Sequence, residues 1–199
     1  MMTPFKSVLG AACFLGFILL GTFFLTLQSP DLCQASRHSV DHRFSLISET
    51  GQPTTHDDFK GDALLVYFGY SYCPDVCPFD LARNADVVDI LAARGLDVTP
   101  VFITLDPDRD TVNHLIPYTD FFHPKMVGLT GDISAIKTVA DGYSVYVSPP
   151  RPDGLIDHST LTYLILPNRG FIEFFQNDLS YSIMAERVEC LITRYGSQT

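Results

Sequence analysis

The chain has 199 residues, enough for one domain and a short appendage, and it is 46% hydrophobic and 18% charged. Lys6 is the only charged residue among residues 1–30, so the rest of the chain is one unit more negative than the formal −10 of the whole. Nucleic acids require a basic protein surface for their phosphates. The acidic balance therefore argues against a nucleic-acid partner.

An uncharged apolar segment covers residues 8–27. As a helix rising ~1.5 Å per residue it spans ~30 Å, the thickness of the hydrocarbon core of a membrane. Lys6 precedes the segment and acidic residues follow it, which predicts that the rest of the chain lies outside the cytoplasm. A cleavable signal peptide is the alternative, but residues 25–29 offer no small-residue cleavage site.

The same segment starts too early to leave room for an Arg-rich mitochondrial leader. We therefore predict that residues 1–30 form an anchor in the bacterial inner membrane. The chain is then a single-pass protein with its C-terminal domain in the periplasm. Residues 31–42 form a polar linker, and residues 43–199 form the domain.

Apolar patterns predict the elements of the domain, since alternation indicates exposed strands, unbroken runs buried strands, and helical spacing helices. In chain order they are a hairpin around the turn at 51–53, a strand at 63–68, a helix ending at Gly95, a strand at 98–105, a helix at 111–122 broken by Pro117, an insertion at 125–157, a hairpin of strands 161–166 and 171–175, and a helix at 181–195. The insertion carries a short helix at about 134–141 and a Pro- and Asp-rich loop at 149–157.

The order β-α-β-α, insertion, β-β-α is typical of a thioredoxin-like α/β fold, a three-layer α/β/α sandwich. Its N-terminal hairpin is an addition, and its insertion separates the second helix from the final hairpin.

Two of the five cysteines stand apart from the others. Cys13 lies in the apolar segment, Cys33 follows it, and Cys190 borders the apolar stripe of the last helix, where we expect it to act as a small core hydrophobe. Cys73 and Cys77 lie where a buried strand runs into a helix. In an oxidising compartment such a pair predicts a disulfide, a redox couple or a metal site.

The position of this pair favours thiolate chemistry, because a helix N-terminus stabilises negative charge. On a running helix the i, i+4 spacing places both sulfurs on one face. The thioredoxin-like redox pair has two intervening residues, whereas here there are three. Two thiolates bind Cu(I) strongly and leave a coordination position open, and a neutral imidazole there would give a set that also accepts Cu(II).

Of the six histidines, His158 is the candidate for that imidazole. It directly precedes the strand at 161–166, in a loop that lies opposite the N-terminus of the first helix in a thioredoxin-like sheet. Asp157 is a candidate to orient the imidazole ring or tune its basicity from outside the ligand set. Asp106, at the end of a strand, is a candidate to face the metal loop from outside the ligand set. The remaining histidines are expected to be solvated or capping: His38, His42, His56, His114 and His123.

The domain resembles the Sco/SenC family of copper-binding assembly factors for cytochrome c oxidase. The resemblance rests on four stretches: VYFGYSYCPDVCP at 66–78, FITLDPDRDT at 102–111, YSVY at 143–146, and DHS at 157–159 leading into Tyr163-Leu164. They extend over residues ~60–195. The chain departs from the family pattern at residues 62–63, at the start of the strand at 63–68, and at the turn 166–170. Neither departure involves the cysteines.

The resemblance implies a thioredoxin fold and one copper ion per chain, held by Cys73, Cys77 and His158. It also implies a metallochaperone, not an enzyme, that helps to assemble the dinuclear copper site of the oxidase. Its partner would be the copper-accepting oxidase subunit or another copper chaperone. A membrane-tethered thiol-disulfide oxidoreductase with Cys73 and Cys77 as a redox disulfide, or a redox or copper sensor, remains the alternative.

Overall fold

The computed structural model of the chain describes residues 33–59 and 61–196. Within them, seven strands form one sheet in the order β2-β1-β5-β4-β3-β6-β7. The strands are β1 (Ser45–Ser48), β2 (Pro53–Thr55), β3 (Ala63–Gly69), β4 (Val98–Thr104), β5 (Val127–Thr130), β6 (Leu161–Leu166) and β7 (Gly170–Gln176). The helices are α1 (Val76–Ala93), α2 (Val112–Phe122), α3 (Ile133–Gly142) and α4 (Tyr181–Tyr195).

The central strands β3, β4 and β5 are parallel, and the hairpins β1-β2 and β6-β7 extend the sheet antiparallel on either side. Strand β6 lies directly beside β3, with Tyr67 opposite Thr162. Since the two run in opposite directions, the end of β3 and the start of β6 lie at the same edge of the sheet. This pairing places residues 70–75, which include Cys73 and form the cysteine loop, beside residues 147–160, which include His158 and form the histidine loop.

Alternate side chains of β3 enter opposite layers of the core. Leu64, Val66 and Phe68 pack with residues of α3. Leu65 packs with residues of α1 and α4 on the other face, and Tyr67 packs there with residues of α1 and α2. All of these side chains are buried, which explains why the strand is an unbroken apolar run. The predicted three-layer arrangement is thus present.

The predicted break at Pro117 is wrong, since α2 runs through this residue without interruption. The amide that proline lacks would have paired with the carbonyl of Asn113, in the first turn of the helix. Buried Leu115 and Thr119 hold the helix against the domain on both sides of the proline. The stabilisation from this packing is larger than the free-energy cost of one missing backbone hydrogen bond.

Residues 33–42, predicted to be a linker, lie along the domain and bond to it. The amide of Ser36 donates to the carbonyl of Ile172 at 2.9 Å, and that of Asp41 donates to Gly142 at 3.0 Å. Tyr143 adds a bond from its hydroxyl to the carbonyl of His42 at 2.8 Å. The predicted span at 8–27 lies outside the described residues, and no helix within them is long and apolar enough to cross a membrane.

The prediction for Cys190 is wrong. Cys190 forms a disulfide with Cys33, 157 positions earlier, with their Cα atoms 5.2 Å apart. The bond joins the start of the described chain to α4. Because the two residues are so far apart in sequence, only the folded position of residues 33–42 reveals the pairing.

We expect that replacing both Cys33 and Cys190 by serine lowers the free energy of unfolding by about 2–5 kcal/mol, because a long closed loop restricts the unfolded chain. Urea unfolding of the domain measures the change. A reductant should lower the stability of the wild type by a similar amount and leave the double variant unchanged. Equal stability of oxidised wild type and double variant would contradict the prediction.

Candidate metal centre

Two sulfur atoms and one ring nitrogen meet at the edge of the sheet where β3 ends and β6 begins. Cys77 Sγ lies 3.4 Å from His158 Nε2. These two atoms and Cys73 Sγ all lie within 4.8 Å of one another. In the described part of the chain they form the group of at least three His, Cys, Asp or Glu side chains that could hold a metal ion. Both cysteines carry free thiols.

The turn before α1, not the helix itself, brings the two cysteines together. Helix α1 begins at Val76, so Cys73 lies outside it and Cys77 lies in its first turn. The amide of Cys73 donates to the carbonyl of Tyr70 at 3.2 Å, which folds the chain back before the helix starts. The expectation that a running helix places both sulfurs on one face is therefore wrong in its mechanism, although the sulfurs do converge.

Gly69 leaves the room that the sulfur of Cys77 occupies. A Cβ atom added at this position would lie 3.0 Å from Cys77 Sγ and 2.9 Å from the Cε1 atom of Tyr67. Both partners are buried and cannot retreat. Glycine at the end of β3 is therefore a requirement of the site.

A buried carboxylate anchors the cysteine loop. Asp110 Oδ2 accepts from the amide of Ser71 at 2.9 Å and from the hydroxyl of Thr104 at 2.7 Å, and Asp110 Oδ1 accepts from the hydroxyl of Ser71. His114 Nε2 also lies 2.9 Å from Ser71 Oγ, and its ring stacks on Tyr72. Asp110 thus fixes the loop two residues before Cys73. His114, expected to be solvated or capping, belongs to the same network.

The orientation of the imidazole ring comes from the backbone. His158 Nδ1 lies 2.9 Å from the carbonyl oxygen of Ser159. Because a carbonyl only accepts, Nδ1 carries the proton, and the lone pair of Nε2 is left to face the sulfurs. The base of the histidine loop is fixed by a bridge between Val147 and His158.

The two acids predicted to lie around the ligand set, Asp157 and Asp106, have other partners. The carboxylate of Asp157 is exposed and lies 3.4 Å from Arg151. Asp106 pairs with Arg109. The carbonyl of Ser159, not a carboxylate, is the partner of His158 Nδ1.

The environment separates the acidities of the two thiols. The hydrogen bond from Cys77 lowers the pKa of Cys73 to about 3, with further help from the amides of Asp75 and Cys77 and with burial opposing. The bond to Cys73 and burial raise the pKa of Cys77 well above the usual thiol range. At neutral pH the pair therefore consists of a half-buried thiolate and a buried thiol.

A polar network that the sequence analysis missed lies beneath the site. Arg83, buried in α1, pairs with Asp80 at 3.2 Å and donates to the hydroxyl of Thr162 at 3.1 Å and to the carbonyl of Gln176 at 2.9 Å. Thr162 in turn donates to Asn84. These bonds hold the N-terminal half of α1 against β6 and β7. The signal in the sequence was an acid and an arginine three residues apart among the apolar residues of α1.

An open cleft of about 310 Å³ is lined by two of the three candidate ligands, Cys73 and His158. Its walls come from the cysteine loop on one side and from residues 155–160 on the other. Tyr70 lies beneath it, with its ring 5.9 Å from that of His158. The cleft gives a second molecule access to the half-buried sulfur of Cys73.

A protein-family model described as SCO1/SenC matches residues 33–193. The chain belongs to the SCO1/SenC family. It is 49% identical over 152 residues to protein SenC of Rhodobacter capsulatus, a match that covers 75% of this chain and 69% of SenC.

Solved structures of SCO1/SenC relatives share the fold. Copper-bound ScoI of Arabidopsis thaliana superposes with a TM-score of 0.76 at 39% identity, covering 79% of this chain and all of the other. Copper-bound ScoI of Bradyrhizobium japonicum gives a TM-score of 0.67 at 32% identity, covering 79% and 99%. The predicted thioredoxin-like architecture and the family resemblance are thereby confirmed.

We expect iodoacetamide to alkylate Cys73 at nearly the same rate at pH 8 and at pH 5, because its pKa of about 3 keeps it a thiolate throughout. Mass spectrometry of the modified peptide measures the rate. In a Cys77→Ala variant, which lacks the thiol donor, the rate should fall as the pH is lowered over this range. A wild-type rate that halves near pH ~8.5, as for an ordinary thiol, would refute the assignment.

Proposed function

We propose that this chain is a copper metallochaperone that carries one copper ion between Cys73 Sγ, Cys77 Sγ and His158 Nε2. The observation that carries the proposal is the convergence of these three atoms within 4.8 Å. Copper is the cargo of the protein, taken up and then passed to an acceptor. No catalytic residue is assigned.

The donor set suits copper. Thiolates are soft ligands that select Cu(I), and an imidazole extends the set to Cu(II). The buried position of Cys77 shields one side of the ion from water, whereas Cys73 borders the open cleft. An acceptor ligand can therefore approach from the cleft and replace the chain's own ligands one at a time.

The comparisons support copper as the cargo. Two relatives that are 39% and 32% identical to this chain were solved with copper bound. We propose that the acceptor is the copper-binding subunit of cytochrome c oxidase, whose dinuclear site the protein helps to assemble, or another copper chaperone. This follows from the family resemblance.

We further propose that residues 8–27 anchor the protein in the bacterial inner membrane, with the domain in the periplasm. The Cys33–Cys190 disulfide supports an oxidising compartment, because such bonds are rare in the cytosol. Confinement to the membrane raises the concentration of the donor at a membrane-bound acceptor.

We expect His158→Ala to weaken copper retention at least about tenfold, since even partners of metal ligands contribute that much. Competition with a chelator measures the affinity, and circular dichroism checks the fold. His38→Ala, which removes an exposed imidazole from residues 33–42, is the matched control and should bind copper as the wild type does. An unchanged affinity in His158→Ala would overturn the ligand assignment.

A thiol-disulfide oxidoreductase is the second candidate, and the unequal acidity of the two thiols favours it. The thiolate of Cys73 attacks a sulfur of the acceptor's disulfide and displaces the other sulfur as a thiolate, which gives a mixed disulfide. The displaced acceptor thiolate takes the proton of Cys77, and the sulfur of Cys77 attacks Cys73, releases the second acceptor sulfur as a thiolate and leaves a Cys73–Cys77 disulfide. Two electrons pass to the acceptor, and His158 supplies no atom to either step.

Two assays with a copper-domain fragment of the oxidase subunit separate the two functions. Copper delivery is measured with the pre-reduced fragment, and thiol reduction is measured with the oxidised fragment. The chaperone predicts that reduced, copper-loaded wild type delivers copper to the pre-reduced fragment and that His158→Ala does not. The oxidoreductase predicts that copper-free His158→Ala reduces the fragment as fast as the wild type. Acceptor thiols and acceptor copper are counted separately. Reduction without any copper delivery by the wild type would replace the first candidate by the second.

A further inference from the structure

Arg109 touches each of the loops that surround the candidate metal centre. Its Nε donates to Asp106, just after the end of β4, and its Nη2 donates to the carbonyl of Gly154 at 2.7 Å. Its guanidinium carbon lies 4.8 Å from the ring centre of Tyr72. The side chain therefore connects the loop after β4, the loop that carries His158, and the loop that carries Cys73.

The carbonyl that Arg109 binds is presented by a tight turn. Gly154 has a φ of +80°, a conformation that favours glycine, and its amide donates to the carbonyl of Arg151 at 2.8 Å. This turn forms the tip of the loop at 149–157, which is part of the histidine loop. Arg109 thus binds the tip of the histidine loop, while the Val147–His158 bridge fixes its base.

Tyr70 makes a second link between the same two loops. Its buried hydroxyl accepts from the amide of Ile156 at 3.2 Å. Its ring also lies beneath Arg109, 5.8 Å from the guanidinium carbon. Tyr70 belongs to the cysteine loop and Ile156 precedes His158 by two residues. The bond therefore ties the approach to the histidine directly to the cysteine side of the cleft.

We propose that Arg109, supported by Tyr70, is a positioning residue that clamps the histidine loop onto the cysteine loop and so holds the imidazole of His158 at the sulfurs. The inference rests on the proposed copper site and adds a residue that touches none of its three ligand atoms. Only the planar fork of arginine can bind Asp106 and Gly154 at once, and a lysine cannot replace it.

The sign of the effect separates a clamp from simple electrostatics. Arg109 is a cation near a cation site, so its charge alone weakens copper binding, and removing the charge should strengthen it. A clamp predicts the opposite, because a released loop holds His158 at the sulfurs for less of the time. The two explanations therefore differ in direction.

The experiment compares Arg109→Met and Arg109→Lys with the wild type. Methionine keeps an unbranched apolar stem over the tyrosine rings, and lysine keeps the charge but not the fork. Chelator competition gives copper affinity, and the electron paramagnetic resonance of bound Cu(II) reports its nitrogen ligand. Both variants should lose about tenfold in affinity and show a weakened nitrogen signature.

The matched control is Arg151→Met. Arg151 lies in the same loop, but its ion pairs with Asp153 and Asp157 are exposed. Exposed pairs contribute little to stability. This variant should keep the affinity and the nitrogen signature of the wild type, and a loss equal to that of Arg109→Met would overturn the specific role of Arg109.

A double-mutant cycle with His158→Ala tests whether Arg109 acts through the histidine. The clamp predicts that Arg109→Met has no further effect once the imidazole is gone. A full additional loss in the double variant, or wild-type affinity in Arg109→Met or Arg109→Lys, overturns the clamp and leaves the copper proposal standing. Wild-type affinity in His158→Ala instead overturns the proposed ligand set, and the clamp with it.

If thermal unfolding shows that the Arg109 variants do not fold, the copper affinity of Tyr70→Phe tests the proposal instead. This change removes only the hydroxyl that binds Ile156 and keeps the buried ring. Copper affinity should fall, by less than in His158→Ala, and the loss should vanish in the His158→Ala background. Unchanged affinity of Tyr70→Phe would overturn the proposal.

Discussion

The structure depends on the close approach of Cys77 and His158, whose sulfur and Nε2 atoms lie 3.4 Å apart although 81 positions separate the residues. Strand pairing makes this contact possible. Because β6 runs antiparallel beside β3, the residue that precedes β6 lies next to the loop that follows β3. The elements around these loops then hold them in place: Asp110 fixes one, and the bridge at Val147 fixes the other.

The site separates two roles between chemically identical side chains. Cys77 is fully buried below Gly69 and keeps its proton, whereas Cys73 borders the cleft as a thiolate. In the proposed copper complex the ion would displace the proton of Cys77, so that its binding would release a proton and strengthen as the pH rises. The same asymmetry suits attack by one sulfur and resolution by the other. The two proposed functions, copper transfer and thiol exchange, thus depend on the same local arrangement.

Sequence patterns predicted local structure well where burial reinforced them. The last helix was placed at 181–195, as observed, and β3, β4 and β6 were placed to within a residue or two. Strand β5, in contrast, lies in the segment 125–157 that was predicted to be an insertion, and it pairs with β4 inside the sheet. The prediction of a break at Pro117 was wrong because the free-energy cost of one missing hydrogen bond is smaller than the stabilisation from burying Leu115 and Thr119. The prediction for Cys190 was wrong because its sequence neighbours on α4 are those of a core residue. The sequence around Cys190 contains no signal that Cys33 lies beside it.

The sequence by itself determined the layered α/β fold and the chemical types that meet at its edge, because hydrophobic period and residue chemistry are local properties. The position of His158 before a predicted strand made it the candidate among the histidines, and the resemblance to SCO1/SenC proteins supported that choice. Tertiary structure alone decided what holds the ring and the loops: the Ser159 carbonyl instead of Asp157, the carboxylate of Asp110, and the fork of Arg109. These partners come from separate segments, so only the folded chain brings them within hydrogen-bond distance.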